Sequence, residues 1–120
     1  MRSHSLLAAL ATLLSLTGCH SAYIAATISN RTSAPLALVE LDYPSASFGT
    51  QSLAPGADYH YRFKVLGNGP TTVLWTDSRH QDHKAPGPTL QENDEGILTI
   101  TFTSTNSPAW SLQLLHPYAN

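Results

Sequence analysis

The chain has 120 residues, eight acidic and six basic side chains, a formal charge of −2 and one cysteine. That length leaves room for one domain with a real core. A mildly acidic chain with no basic block argues against nucleic acid as a partner, and a single cysteine rules out an intramolecular disulfide.

At the N-terminus, Arg2 and His4 precede a mostly apolar run over residues 6–16. A membrane span needs about 20 apolar residues. The run is shorter than that and has the length of a secretory signal's apolar core. Two small residues, Thr17 and Gly18, follow, and then Cys19. Leu16-Thr17-Gly18-Cys19 resembles the lipobox of bacterial lipoproteins. The resemblance implies alkylation of Cys19 with diacylglycerol, cleavage between Gly18 and Cys19, and acylation of the new amino group. Several acyl chains are needed because one alone gives only marginal membrane binding. The implied organisation is a cleaved signal helix over 1–18, a lipidated tether over 19–22 and a domain over 23–117. His20 stands where Asp would favour inner-membrane retention, so the resemblance implies the outer membrane, on its periplasmic leaflet or at the surface. The short tether holds the domain within about 10–15 Å of the lipid.

Beyond the tether, alternation of apolar and polar residues predicts strands. Residues 23–30 place Ile24, Ala26 and Ile28 in register. Residues 36–43 set Ala37, Val39, Leu41 and Tyr43 on one face and Leu36, Leu38, Glu40 and Asp42 on the other. A shorter strand is expected near 48–53. Residues 58–65 give the clearest pattern, with Tyr59, Tyr61, Phe63 and Val65 inward and His60, Arg62 and Lys64 outward. Residues 71–76 carry Val73 and Trp75. Residues 97–103 set Leu98, Ile100 and Phe102 against threonines, and 109–115 present Trp110, Leu112 and Leu114. Polar, Pro and Gly clusters separate these segments. The whole predicts an all-β protein, an antiparallel sandwich of about six or seven strands. The Leu53-Ala54-Pro55-Gly56 turn ahead of an alternating strand resembles bacterial immunoglobulin-like domains, and the mature chain is similar to small lipoproteins carrying such a domain. No functional residue carries over from them.

Residues 77–95 show no strand beyond a short one over 88–91, and a connection of that length is either a binding loop or an ordinary surface loop. Within it, Asp77, His80, Asp82 and His83 could hold Zn²⁺ or Cu²⁺. Their spacing matches no zinc signature, and Arg79 and Lys84 would repel a cation, so a solvated polar loop is the competing reading. His60, Arg62 and Lys64 form a basic row that could meet anionic headgroups or an acidic partner, or simply be the wet face of a sheet. Tyr43 and Phe48, in a stretch rich in Ser, Pro and Gly, are either recognition anchors or the closing residues of the core. No Gly-x-Ser-x-Gly elbow or glycine-rich phosphate loop is present, and Cys19 is committed to lipid. The sequence therefore points to a non-enzymatic, lipid-anchored envelope module with no cofactor beyond the covalent lipid, acting close to the membrane on an envelope protein. The alternative is a metal-binding or metal-delivery lipoprotein using the His80/His83 loop.

Overall fold

A computed structural model describes residues 21–104 and 107–116. The expected signal segment, with Gly18 and Cys19, lies outside the described residues. Eight strands build two four-stranded sheets: β1 (Ile24–Asn30), β2 (Leu36–Tyr43), β3 (Ala46–Leu53), β4 (Asp58–Phe63), β5 (Gly69–Thr76), β6 (Asp82–Leu90), β7 (Gly96–Phe102) and β8 (Pro108–Leu114). One sheet has the order β4-β1-β7-β8, the other β3-β2-β5-β6. They pack as a sandwich over one apolar cluster, to which the first sheet gives Ile24, Ile28, Leu98, Ile100 and Phe102 and the second gives Leu36, Leu41, Val73, Trp75 and Leu90. Their side chains are removed from water because every second residue of a strand faces the same side.

Three features depart from the expected antiparallel sandwich of six or seven strands. First, β1 pairs antiparallel with β4 but parallel with β7, so the first sheet is mixed. Second, residues 82–90, where only a short strand over 88–91 is expected, form the nine-residue strand β6. It is an edge strand, which tolerates Pro86 and Pro88 because one side of its backbone needs no ladder. Its inward positions are filled by His83, Ala85 and Gly87 instead of large apolar residues, so it carries no hydrophobic alternation. Third, β3 is a full eight-residue strand.

The facing of β2 also differs from simple alternation. Leu36 and Val39 are both buried, while Leu38 is 63% exposed with φ 49°. A bulge there shifts the register against β5 between Ala37 and Glu40; the extra residue moves Leu36, and not Ala37, onto the core face. β3 follows, burying Phe48 and Leu53, which lie at opposite parity. On edge strand β4, Tyr61 is 42% exposed rather than buried.

The two open sides of the sandwich are closed differently. Between β3 and β4, Phe48 stacks on Tyr61 with ring centroids 4.3 Å apart, and Tyr43 lies 4.2 Å from Phe63. Between β6 and β8, the Trp110 ring lies so close over Gly87 that any side chain there would strike it and the Thr71 hydroxyl.

Strand directions sort the connections to two ends. The end where β1 starts, here called proximal, carries residues 21–23, the β2–β3 turn at Pro44 and Ser45, residues 64–68, residues 91–95, and Leu115 with His116. The distal end carries residues 31–35, 54–57 and 77–81. Asn30, fully buried at the end of β1, ties the distal end together. Its Nδ2 donates to the carbonyls of Ala34 and Leu53, both at 2.9 Å. Its Oδ1 accepts from the Thr32 backbone N–H at 3.0 Å and the Thr32 hydroxyl at 2.6 Å. Both donors and both lone pairs of the amide are thereby used.

Replacing Asn30 by Ala strands these buried backbone groups. The expected loss is about 2–3 kcal/mol, read as a lower urea midpoint with an unchanged slope. Gly87→Val should likewise lower the midpoint and change the Trp110 emission of the native state.

Candidate functional site

The β5–β6 hairpin loop holds the proposed metal ligands, and its backbone explains where each goes. Asp77 organises the loop. Its Oδ1 accepts from the backbone N–H of Arg79 at 2.8 Å and of Gln81 at 3.0 Å, an Asx-type turn that reproduces a backbone hydrogen bond with a side chain. Asp77 N–H donates to Gln81 O, and His80 N–H donates to Asp77 O. His80 occupies the left-handed position at the tip, with φ 63°, and is exposed.

Beyond the tip, strand alternation separates Asp82 from His83. Asp82 turns outward and accepts from the hydroxyl of Thr76, its cross-strand partner, at 2.7 Å. His83 turns inward, opposite Trp75, and stacks on the indole with centroids 5.2 Å apart and planes 14° apart. Its Nε2 lies 2.7 Å from Asp77 Oδ2. The hydrogen bond from His83, followed by those from the backbone of Gln81 and Arg79, holds the Asp77 carboxyl below its usual range. An ionised carboxylate only accepts, so Nε2–H is the donor.

Of the four expected ligands, Asp77 and His83 therefore meet, while His80 and Asp82 point elsewhere. Among the described residues no three His, Cys, Asp or Glu side chains converge as a metal site. Both Asp77 oxygens are already engaged with the loop and with His83. What the arrangement does is set the loop: the Asp77 carboxylate is bonded to an imidazole that stacks on the buried Trp75 indole, a largely buried group at the distal end.

The basic row divides as well. His60 and Arg62 lie on the outer face of the β4-β1-β7-β8 sheet. His60 Nδ1 is 3.0 Å from the Thr27 hydroxyl. The Arg62 guanidinium lies over the Tyr23 ring, 4.5 Å from its centroid. Lys64 is exposed just past the end of β4, at the proximal end. Tyr43 and Phe48 belong to the aromatic wall of the core: Phe48 is buried, Tyr43 is half-buried, and burial together with nearby Tyr61 raises the Tyr43 phenol above its ordinary value. Phe48 is thus closed off from a partner, leaving Tyr61 as the exposed aromatic of that group.

An open surface groove of about 470 Å³ crosses the proximal edge of the first sheet, lined by Tyr23, Ala25, Arg62, Glu95, Ile97 and Leu115. Across the strands Arg62, Ala25, Ile97 and Gln113 form one outward row. Ile97 and Leu115 do not stand out as site residues in the sequence. Their signal is parity: Ile97 shares the wet face with Thr99 and Thr101, and Leu115 follows inward-facing Leu114, so one of the two leucines must face out.

No family model and no curated protein matches this sequence. In fold, the chain is similar to the NMR structure of a protein from Eubacterium rectale, with a TM-score of 0.54 and 8% identity, over 75% of this chain and 87% of that one. At that identity the likeness concerns the fold alone.

The Asp77 loop has a pH signature. Because the folded carboxyl titrates below the unfolded one, its contribution to stability is present above about pH 4 and is lost as the pH falls through the folded value. Asp58, lowered by hydrogen bonds from Ser29 and Arg31, acts in the same direction. The expected result is a thermal midpoint that drops below about pH 4, with a shallower drop in Asp77→Asn; an identical acid limb in that variant would contradict the assignment.

Proposed function

We propose that this protein is a lipid-anchored lipoprotein of the bacterial envelope, held at the outer membrane, whose sandwich serves as a non-enzymatic binding or structural module close to the lipid. The observation that carries the reading is the Leu16-Thr17-Gly18-Cys19 sequence standing immediately ahead of a folded domain. Only His20, Ser21, Ala22 and Tyr23 separate Cys19 from the first residue of β1. A chain destined for lipidation at Cys19 needs no residue of the domain inside the signal segment, and the first core residue, Ile24, falls beyond the tether.

The immunoglobulin-like comparison enters in its broad sense of a two-sheet sandwich. Immunoglobulin domains group strands A, B, E and D against C, F and G; the order here is β4-β1-β7-β8 against β3-β2-β5-β6. The metal-delivery reading has less support, since only Asp77 and His83 of its ligand set meet. The envelope partner is a protein that approaches from the polar distal end, where the Asn30 and Asp77 side chains hold two loops in fixed shapes.

The test is mass spectrometry of the N-terminal peptide of protein extracted from host membranes. A peptide that begins at Cys19 and carries diacylglyceryl and acyl groups is expected, with Cys19→Ala left uncleaved and unmodified. A free thiol at Cys19 in the processed chain would overturn the proposal. A photo-crosslinker at His80 should capture an envelope protein from wild-type cells and not from Cys19→Ala cells.

A further inference from the structure

We infer that the proximal end of the sandwich seats directly on the lipid surface, with Tyr23, Leu66, Ile97 and Leu115 in the interfacial zone and Arg62 and Lys64 against lipid phosphates. This rests on the lipid-anchor reading and adds to it a fixed orientation of the domain.

The exposed large apolar side chains are unevenly placed. Of the six among the described residues, Tyr23, Leu66, Ile97 and Leu115 are exposed by 36%, 54%, 51% and 65% and lie at or next to the end where β1 starts, while Leu38, at 63%, stands apart at the bulge near the distal start of β2. Tyr61, opposite Ala26, lies one step further along. The distal loops instead carry Arg31, Asp77, Arg79 and His80. A cluster of exposed apolar groups on one end of a domain marks a contact surface.

The position of Cys19 selects the occupant. Ser21 lines the same groove as Tyr23 and Leu115. Cys19 is two residues before it, a backbone reach of about 7 Å. Lipid attached to that sulfur brings the bilayer to this end and to no other. The side-chain types suit the interface: Tyr and Leu partition to the zone between headgroup and acyl chain, and Arg and Lys keep their stems apolar while the charge meets phosphate. The Arg62 guanidinium is already held on the Tyr23 ring. Glu92 and Glu95 stand at the same end, Glu95 with His116 at 3.6 Å. Apolar contact therefore outweighs net charge, and binding should depend only modestly on the fraction of anionic lipid.

The experiment uses the full lipidated protein, with the Cys19 modification confirmed by mass. Because Cys19 is then a thioether, a second cysteine can be labelled selectively. Leu115→Cys and His80→Cys are each labelled with an environment-sensitive fluorophore. The proteins are reconstituted into vesicles of phosphatidylethanolamine and phosphatidylglycerol, with and without a lipid-borne quencher. The label at 115 should be blue-shifted and quenched several-fold more than the label at 80. Adding Leu66→Asp and Ile97→Asp, both at exposed positions, should remove most of that quenching while the thermal midpoint stays unchanged. Equal, weak quenching at both sites with lipid present on Cys19 would overturn the seating and leave the anchor intact. A blue shift at 115 without quenching would mean that a second copy covers the patch, and would also overturn it. Absence of lipid on Cys19 would remove the anchor reading itself, and the seating with it.

Discussion

The pairing of β1 governs this structure. It is hydrogen-bonded along its length on both sides, to β4 running against it and to β7 running with it. Two consequences follow from the directions alone. The side chains of Ile24 and Ile28 face the same core as those of Leu98, Ile100 and Phe102, which makes the centre of that sheet continuous. The start of β7 is also placed beside the start of β1, where Gly96 N–H donates to Tyr23 O. Residues 91–95, Leu115 and the chain entering at Ser21 thereby share one end. The apolar character of that end is a product of topology, since Tyr23, Leu66, Ile97 and Leu115 are scattered along the sequence.

Polar side chains organise the opposite end by one device used twice. Asn30 Oδ1 accepts from the N–H of residue 32, and Asp77 Oδ1 from the N–H of residue 79. In each case a short acceptor two residues back fixes a turn that would otherwise depend on water. The two differ in depth. Asn30 is sealed in the core and braces three chain segments, while Asp77 remains ionised beside His83 and feels the pH. Stability at the distal end therefore has a neutral component and a titrating one.

Much of this fold is legible in the sequence wherever a strand alternates large apolar with polar residues. β1, β2, β4, β5, β7 and β8 lie within a residue or two of their expected positions because their inward residues are mostly Ile, Leu, Phe, Tyr, Trp and Val. The first part of β6 is illegible for a physical reason: its inward neighbours are the Trp75 and Trp110 rings and the Thr71 hydroxyl, which stand against the small or planar His83, Ala85 and Gly87. Within β2 only the facing of Leu36 and Ala37 differs from expectation, because the bulge at Leu38 exchanges the two faces there, and β3 starts two residues earlier than expected. Strand direction is invisible to alternation, so the parallel pair could not be read. At the hairpin loop, the cluster of Asp and His residues is visible in sequence, but its chemistry depends on hairpin register. That register sends Asp82 and His83 to opposite faces and turns a presumed ligand set into a loop brace.

The central position of β1 also matters mechanically. Any pull transmitted through the chain at Ser21 enters the domain along the axis of this strand. An edge strand loaded at one end can be peeled away one hydrogen bond at a time. β1 is flanked by ladders on both sides, so an axial load is shared by both rows of bonds in shear, and they must yield together. The strand closest to Cys19 is thus an interior strand, held on both sides, and tension between the N-terminal segment and a partner at the distal end would enter the sandwich through a doubly laddered strand and not through an edge.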